Sequence, residues 1–442
     1  MSIKISIITL GCDKNTVDSE HMLGLLVSNR YLITDFPEEA DVVIVNTCGF
    51  INDAKEESIN TLLKIAVYKR KNPNLKLIAI GCMVQKYWRE LAEEIPEIDG
   101  LLGSNNILTL PMVLEKIILG QKVCLVNSQL NISDVLIPRI LSNQGPSSFL
   151  KIAEGCNNKC TYCAIPDLRG RYRSKGFSPL IKEAKFLVDK GIKEISLVAQ
   201  DITQYGRDLF NKTNLVCLLE KLIEIQGLEW IRLLYCYPSF IDDNLIQFIN
   251  EQSKICKYID IPLQHADEEI LCKMGRRQKT EEIYDLIYKL RTTIPDIAIR
   301  STFIVGFPGE SEEHFNNLLK FLEEIKLDWV GAFKYSQEEG TLAASFSNQV
   351  SEVIKEERYK QLMALQKNIT TERNQRWLGR KLPVLIERKW EEGSYLWQGR
   401  TQQQAPEVDG TLFIHTEKVL QPGQFVNVTI TGIEEYDLVG EI

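Results

Sequence analysis

Residues 154–163 read EGCNNKCTYC and hold three of the eleven cysteines of the chain. Cys156, Cys160 and Cys163 follow the spacing C-x3-C-x2-C, directly after an apolar run at 149–152 that predicts a β-strand. Active-site residues of barrels built from alternating strands and helices lie on the loops that follow the strands. Three thiolates can hold three irons of a four-iron cluster and leave the fourth iron open. The loop therefore predicts a reactive iron–sulfur centre. The alternative is a structural zinc site, which needs a fourth Cys or His that this loop lacks.

From this loop onward, apolar runs alternate with amphipathic helical patterns. The six candidate strands lie at 149–152, 194–199, 231–235, 258–262, 299–305 and 329–334. Helical patterns such as those at 179–189 and 280–291 separate the strands. Six strand–helix units are too few for a complete eightfold barrel, so residues 149–370 predict a partial (β/α)6 barrel of the TIM type.

The N-terminal part, residues 1–125, shows the same alternation. Its apolar runs lie at 5–10, 41–45 and 75–80, with amphipathic stretches at 17–28 and 53–69 between them. Continuous apolar strands separated by helices are typical of a parallel sheet that is covered on both faces. We therefore expect a doubly wound α/β domain in this part of the chain.

A cysteine follows each of these three strands, and each of the three, Cys12, Cys48 and Cys82, has a glycine beside it. The carboxyl ends of parallel strands meet at one edge of the sheet, where doubly wound domains bind ligands. The three thiols are therefore predicted to lie together, and they suit a second three-thiolate cluster with a free iron. The alternative is three buried cysteines that act as small apolar side chains.

The remaining segments predict a linker and a third domain. Residues 126–148 are predicted to be a linker, because the stretch SNQGPSS at 142–148 contains turn-forming residues without periodicity. A charged helical pattern at 352–373 leads into residues 371–442, which contain short apolar runs at 382–386, 411–414 and 425–430. Gly, Pro and Asp separate these runs, a pattern typical of a small antiparallel β-barrel.

Composition and charge limit the class of protein. Apolar residues make up 44% and charged residues 25%, and the net charge of −8 argues against a protein that binds mainly nucleic-acid backbone. No apolar run reaches the roughly 18 residues that cross a bilayer, and the N-terminus lacks a signal-peptide pattern, so we expect a cytoplasmic protein without a membrane partner. In that reducing compartment cysteines serve metal ligation or burial more often than disulfides. We expect burial for Cys124, Cys217, Cys256 and Cys272, and no ligand role for Cys236.

The central loop resembles the signature of the radical S-adenosylmethionine (SAM) superfamily, with Tyr162 at its aromatic position. In that superfamily the open iron binds the methionine amine and carboxylate of SAM, and reductive cleavage of SAM yields a 5′-deoxyadenosyl radical. The resemblance implies that Tyr162, Gln200 and Asp201 near the second barrel strand, and Gly306 and Pro308 after the fifth, line the SAM site. For the last two segments, ordinary turn chemistry is the alternative interpretation.

Over almost the whole chain the sequence resembles the methylthiotransferases, which combine two [4Fe–4S] clusters with a C-terminal substrate-recognition barrel, the TRAM domain. The resemblance implies that Cys12, Cys48 and Cys82 hold the cluster that presents a sulfur atom. One SAM molecule then methylates this sulfur, and a second SAM supplies the radical, with electrons from a flavodoxin- or ferredoxin-like donor. The sequence identifies neither the sulfur donor nor a catalytic residue beyond the cluster cysteines.

Two branches of this family are candidates. The MiaB type modifies an adenosine of transfer RNA, and the RimO type modifies the β carbon of an aspartate in small-subunit ribosomal protein S-twelve. The segments that resemble the RimO type are GCDKNTVDSE at 11–20, NTCGFI at 46–51, QDITQYGRD at 200–208, DIPLQH at 260–265 and YSQEEGT at 335–341. Asp13 departs from this pattern, which more often has proline there.

The charge of the predicted C-terminal barrel favours the same branch. From residue 372 onward there are eight basic and eleven acidic residues. A barrel that binds transfer RNA should be basic, whereas an acidic barrel suits a basic ribosomal protein. The alternative is that these charges only keep the surface hydrated. A hypothesis of another class is a two-cluster electron carrier, although carriers usually hold every iron with protein ligands.

Overall fold

The computed structural model describes residues 3–126, 135–143, 145–209, 213–390 and 396–442. Residues 127–134 and 144 of the predicted linker lie outside the described residues, as do the first two residues of the N-terminal stretch. Two six-stranded parallel sheets and one closed five-stranded barrel organise the described chain. This arrangement confirms the predicted α/β class.

The first sheet carries its strands in the order β2-β1-β3-β4-β5-β6, and every neighbouring pair is parallel. The strands are β1 (Lys4–Thr9), β2 (Leu32–Ile33), β3 (Val42–Thr47), β4 (Lys76–Gly81), β5 (Gly100–Gly103) and β6 (Val123–Leu125). The helices are α1 (Asp13–Ser28), α2 (Asn52–Lys71), α3 (Cys82–Glu94) and α4 (Leu110–Ile118).

Helices cover both faces of this sheet, as expected for a doubly wound domain. Successive residues of the fully buried strand β3 alternate between two apolar layers. Val43 and Val45 pack in the layer that includes residues of α2 and α3, whereas Val42 and Ile44 pack in the layer that includes residues of α1 and α4. The unbroken apolar runs of the sequence follow from this burial on both sides.

The second sheet is parallel and open, with the order β14-β13-β12-β11-β10-β7, which confirms the predicted partial barrel. The strands of this region are β7 (Ser147–Lys151), β8 (Ala153–Glu154), β9 (Arg173–Ser174), β10 (Glu194–Val198), β11 (Trp230–Leu233), β12 (Ile255–Asp260), β13 (Ala298–Val305) and β14 (Trp329–Lys334). Its helices are α5 (Ile165–Arg169), α6 (Phe177–Asp189), α7 (Leu215–Ile223), α8 (Asp243–Glu251), α9 (Glu268–Lys273), α10 (Thr280–Thr293), α11 (Glu312–Ile325) and α12 (Glu352–Asn374). The short strands β8 and β9 pair with each other and flank the cysteine loop.

The C-terminal barrel closes in the order β15-β16-β17-β19-β18. Its strands are β15 (Lys381–Lys389), β16 (Trp397–Arg400), β17 (Leu412–His415), β18 (Phe425–Glu434) and β19 (Asp437–Glu441). All pairs are antiparallel except β17 with β19, which are parallel. A closed ring with an odd number of strands cannot alternate throughout, so the predicted antiparallel barrel necessarily contains one parallel pair.

Helix α12 connects the partial barrel to the closed barrel. It is 23 residues long and runs to Asn374, so the predicted domain boundary at residue 371 falls within its last turn. Its buried residues include charged and amide side chains such as Lys355, Arg358 and Gln366. Within the described ranges, no helix combines the length and the apolar character that a membrane crossing requires.

The expected burial of the non-ligand cysteines is only partly correct. Cys256 and Cys236 are buried, and Cys217 is half-buried. The expectation is wrong for Cys124 and Cys272, which are exposed. Cys124 lies on β6, which is the edge strand of its sheet, and Cys272 lies on the short helix α9, so neither has a covering layer on its outer side.

Candidate functional site

The first candidate site lies at the carboxyl edge of the N-terminal sheet. Strands β1, β3 and β4 are adjacent and parallel, so the residues that follow them lie side by side. Cys12 precedes α1, Cys48 follows β3, and Cys82 is the first residue of α3. The structure therefore places all three predicted cysteines at one sheet edge, from three distant points in the sequence.

Gly11 permits the close approach of two of these cysteine loops. Its φ of +90° favours glycine, and a Cβ at this position would lie 2.6 Å from Cβ and 2.8 Å from Sγ of Cys48. On the other side of Cys48, a Cβ on Gly49 would lie 2.8 Å from Cα of Met83, the residue after Cys82. Glycine beside the cysteines thus leaves the space in which the sulfur atoms lie.

The pKa values of two of these thiols are raised. Burial is the main cause for Cys48 and for Cys82, whose pKa rises to about 11, and neighbouring thiols contribute to the rise. The guanidinium of Arg169 acts in the opposite direction on both. Cys12 is exposed, so the site has one side open to solvent. Buried thiols of this kind become thiolates when a metal replaces the proton.

The second candidate site is the loop between β8 and α5. The backbone N–H of Cys156 donates to the carbonyl of Gly170 at 3.1 Å, and that of Cys163 donates to the carbonyl of Cys160 at 3.2 Å. Thr161, within the loop, donates from its backbone N–H to the carbonyl of Met274 at 2.9 Å. The loop is therefore anchored both to its own flanks and to the segment after α9.

The pKa values of two thiols in this loop are raised as well. Burial raises the pKa of Cys156 to about 11 and that of Cys163 to about 12. The next cause for Cys163 is the charge of Cys160, and Cys160 also raises the pKa of Cys156.

Neither set of thiols is arranged around a single ion. In the parts of the chain that the structure describes, no group of three or more His, Cys, Asp or Glu side chains gathers as one metal ion would require. A structural zinc ion needs four such converging ligands. In a four-iron cluster each thiolate binds a different iron, so the sulfur atoms need not converge on one point. Three thiols at each site match the donor set of a four-iron cluster with one open iron.

Tyr162 brings two of the predicted SAM-binding segments together. Its ring packs edge-on against Phe307, with 6.5 Å between ring centroids, and its hydroxyl accepts a hydrogen bond from Nη1 of Arg276 at 3.2 Å. Phe307 lies between Gly306 and Pro308, which are both buried. The segment after β13 therefore lies directly beside the cysteine loop.

Gln200 and Asp201 approach the same loop from the end of β10. Asp201 accepts a hydrogen bond from Nδ2 of Asn158, a residue of the cysteine loop, at 3.1 Å. Oε1 of Gln200 is buried and has no hydrogen-bond partner among the described residues. A buried, unpaired acceptor next to a metal-site loop is a position that a polar ligand would satisfy.

Turn chemistry is also present at both segments. The carboxylate of Asp201 caps a short helical turn by accepting from the backbone N–H of Thr203 at 3.0 Å. Gly306 has a φ of +71°, and its N–H donates to Glu310 at 2.9 Å. These residues therefore shape their loops whether or not they also contact SAM.

Two arginines at the site were not predicted. Arg169 donates from Nε to Sγ of Cys82 at 3.2 Å, and Arg276 holds the Tyr162 hydroxyl and lies over the ring of Tyr237. Their partners are far away in the sequence, so no local spacing reveals the contacts. The only local signal for Arg169 is the basic stretch RGRYR at 169–173, directly after the cysteine loop of an acidic chain.

Three segments of the chain match known protein families. Residues 4–103 match a family described as the uncharacterized protein family UPF0004. Residues 150–322 match the radical SAM superfamily, and residues 378–442 match the TRAM domain.

Two curated relatives extend over the entire chain. The ribosomal protein uS12 methylthiotransferase RimO of Desulforamulus reducens is 48% identical, covering 99% of this chain and 99% of the relative. The protein of the same description from Lachnoclostridium phytofermentans is 47% identical, with the same coverage of both. The chain belongs to the RimO family. The alignments with these RimO relatives run through all three matched segments of the chain.

Membership in the RimO family confirms the predicted enzyme class. The chain is a radical SAM methylthiotransferase, and SAM and a [4Fe–4S] cluster are its cofactors. It also confirms that the sequence resembles the RimO type, despite Asp13. In the structure the Asp13 carboxylate accepts hydrogen bonds from the backbone N–H of Lys14 at 3.0 Å and from the Tyr235 hydroxyl at 3.3 Å, so this position is occupied by a residue with specific partners.

A solved structure supports the fold of this RimO-family chain. The radical SAM methyltransferase TsrM of Kitasatospora setae, solved with tryptophan and a SAM analogue, aligns with a TM-score of 0.59 and 16% identity. The alignment covers 75% of this chain and 73% of TsrM. At this identity the likeness concerns the fold alone.

Proposed function

We propose that this chain inserts a methylthio group at the β carbon of an aspartate in ribosomal protein uS12, using two [4Fe–4S] clusters and SAM. The observation that carries the proposal is the pair of three-cysteine sites, one at the edge of the N-terminal sheet and one on the first loop of the partial barrel. Helix α5 links them, because it begins two residues after Cys163 and packs through Ala164 and Leu168 against Cys82.

The first cluster is proposed to bind Cys12, Cys48 and Cys82. Three thiolates leave one iron without a protein ligand, which suits a site that must hold an exchangeable sulfur. The exposure of Cys12 supports this assignment, since the open side of the site is where a second reactant can enter. The chain's own contribution is to hold three thiolates from three strand ends at a fixed spacing.

The second cluster is proposed to bind Cys156, Cys160 and Cys163, with SAM at its open iron. When bound, this cluster supplies the electron that cleaves SAM. Tyr162, Gln200, Asp201, Gly306 and Pro308 are proposed to line the SAM site. The unpaired Oε1 of Gln200 supports this role, because a ligand N–H would satisfy it.

The domains are proposed to divide the work. Residues 1–125 hold the sulfur-presenting cluster, 126–148 link them to the radical SAM core at 149–370, and 371–442 recognise the substrate. A flavodoxin- or ferredoxin-like protein is proposed as the electron donor, and the cytoplasm, where a ribosomal protein meets its modifying enzyme, as the compartment.

The test is a reconstituted reaction. The protein is reconstituted anaerobically with iron and sulfide, mixed with SAM and a strong reductant, and offered either ribosomal small subunits or transfer RNA. We expect 5′-deoxyadenosine, a methylthio mass increment on one aspartate of uS12, and unmodified transfer RNA. A protein that forms no 5′-deoxyadenosine would be an electron carrier, and a modified adenosine would assign the chain to the other branch of the family.

A further inference from the structure

Arg169 joins the two cysteine sites. It is the last residue of α5, the helix that follows the central cysteine loop, and only 2% of its surface is exposed. Its Nε lies 3.2 Å from Sγ of Cys82, at the edge of the N-terminal sheet. A residue carried by the radical SAM core thus donates a hydrogen bond to a candidate ligand of the other cluster.

The rest of the guanidinium is held by buried acceptors. Nη1 donates to Glu154 at 2.9 Å and to Asp18 at 3.1 Å, and Nη2 donates to Oδ1 of Asn15 at 2.6 Å. Glu154 lies two residues before Cys156, and Asn15 lies three residues after Cys12. The hydrogen bonds of Arg169 therefore fix its position relative to both sites.

The charges around Arg169 do not cancel its effect on Cys82. Lys151 pairs with Asp18 and Glu154, so the buried group contains two cations and two carboxylates. Both carboxylates contact Nη1, whereas Nε faces the sulfur directly. In a buried environment of low dielectric constant, the nearest charge dominates the electrostatic potential. The guanidinium of Arg169 therefore makes the potential at the Cys82 sulfur more positive.

We propose that Arg169 is a positioning residue that raises the reduction potential of the N-terminal cluster through its hydrogen bond to Cys82. The inference rests on the proposed function, in which Cys82 is a cluster ligand. Hydrogen bonds to ligand sulfurs and local charge are among the factors that set the potentials of iron–sulfur clusters. One electron from an external reductant adds one negative charge to the cluster, and an N–H donor with positive charge stabilises that reduced form more than the oxidised form.

The experiment isolates the N-terminal cluster. In a full-length background with Cys156→Ala, Cys160→Ala and Cys163→Ala, any remaining cluster belongs to the N-terminal site. Its midpoint potential is measured by reductive titration with viologen mediators, followed by electron paramagnetic resonance. Arg169→Gln in this background should shift the potential to a more negative value. Arg169→Lys keeps a charge but lacks the Nε–H donor, and it should give a smaller shift in the same direction.

Lys151→Gln is the matched control. It removes one positive charge from the same buried group, and Lys151 donates its hydrogen bonds to Asp18 and Glu154, not to a cysteine. Its shift should be smaller than that of Arg169→Gln. Equal shifts for these two variants, or an unchanged potential in both Arg169 variants, would overturn the role of the hydrogen bond.

Iron content separates this inference from the proposed function. If the background protein binds no cluster, the assignment of Cys12, Cys48 and Cys82 fails. If the background protein binds a cluster and its Arg169→Gln variant does not, the Arg169→Lys variant is measured instead. A more negative midpoint potential in Arg169→Lys supports the inference, and an unchanged potential refutes it.

Discussion

Cys12 and Cys48 can lie side by side only because residue 11 has no side chain. A Cβ there would lie 2.6 Å from Cβ of Cys48, closer than such atoms approach, and the φ of +90° disfavours any other residue. The spacing of the N-terminal thiols thus depends on the absence of a side chain at Gly11.

Gly11→Ala should therefore impair the N-terminal cluster. The backbone strain of alanine at positive φ costs about 1–2 kcal/mol, and the clash must in addition displace Cys48. Iron bound after anaerobic reconstitution should fall from about eight toward about four atoms per chain. Gly120→Ala is the matched control, since Gly120 has a similar φ of +84° but nothing within 4 Å of the added methyl. Equal iron loss in both variants would mean that strain alone, and not the contact with Cys48, matters.

Replacement of the central cysteines tests the radical site. A protein with Cys156→Ala, Cys160→Ala and Cys163→Ala should retain about four irons and form no 5′-deoxyadenosine from SAM, because the ligands of the SAM-binding cluster are gone. Iron analysis and chromatography of the nucleoside products measure both. SAM cleavage by this variant would contradict the assignment of the loop.

The complementary variant tests the sulfur site. With Cys12→Ala, Cys48→Ala and Cys82→Ala, the protein should still form 5′-deoxyadenosine but should no longer transfer a methylthio group to uS12. The physical reason is that SAM cleavage depends on the central loop alone. Loss of both activities, in a protein that still unfolds at the wild-type urea concentration, would indicate one shared site.

For single residues, the sequence indicates features that recur along the chain. The six cysteines were predicted as cluster ligands because they recur after three strands and at a recognisable spacing in the loop. The contact of Arg169 with Cys82 spans 87 positions and involves neither periodicity nor a turn, so only the folded chain reveals it. The exposure of Cys124 and Cys272 was missed for a related reason, since it depends on which elements lie next to their own.

Among the secondary-structure elements, β10 and β16 are joined by a buried group of charges. Glu194 on β10 accepts hydrogen bonds from Arg232 at 2.6 Å and from Arg400 on β16 at 2.7 Å, and all three side chains are buried. Despite burial, these two guanidinium groups lower the pKa of Glu194 from 4.5 to about 2. The C-terminal barrel is thus held against the central sheet by a carboxylate between two arginines.

Glu194→Gln should destabilise this junction. The lowered pKa corresponds to about 3 kcal/mol of stabilisation. The variant also leaves the buried Arg232 without its carboxylate partner and Arg400 with Glu387 alone. Because the folded pKa lies below the unfolded value, the stabilisation is present above about pH 4.5 and is lost as the pH falls toward 2. Urea unfolding of the metal-free protein should show a lower free energy at pH 7, and the difference from wild type should shrink below pH 4.5. The exposed Glu323→Gln is the control, and an equal effect there would contradict the prediction.

The long apolar strands and amphipathic helices were predictable because the spacing of apolar residues along each element matches the faces that it buries. The strand β16, with the sequence WQGR, has no such pattern and exists because β15 and β17 pair with it. The parallel pairing of β17 with β19 likewise follows from ring closure, which no local stretch encodes.

For the molecule as a whole, some acidic residues of the C-terminal barrel are already paired with basic residues of the same chain. The Asp409 side chain is buried against Arg300, and Glu435, although exposed, pairs with Lys367 of α12 at 2.6 Å. Neither is therefore an unpaired surface charge. Glu391 and Glu392, which contribute to the acidic count, lie outside the described residues. Glu407 and Glu417 are exposed and are better probes of how the barrel meets a charged partner.

Reversal of these two charges should slow modification of uS12. Glu407→Lys with Glu417→Lys reduces the attraction to a basic ribosomal protein, so kcat/KM should fall, and the difference from wild type should diminish at high salt as charges are screened over about 10 Å at 0.1 M. SAM cleavage without substrate should be unchanged, because the radical site lies in another domain. Unchanged kcat/KM for uS12 together with new modification of transfer RNA would contradict a barrel that recognises protein.

Mass spectrometry of small-subunit ribosomal proteins from cells with and without the gene tests the claim that this chain modifies one aspartate of uS12. We expect a methylthio increment on a single aspartate of uS12 that disappears on deletion and returns with the wild-type gene, but not with the Cys156→Ala, Cys160→Ala, Cys163→Ala variant. An unmodified uS12 in wild-type cells, or an increment that persists after deletion, would contradict the claim.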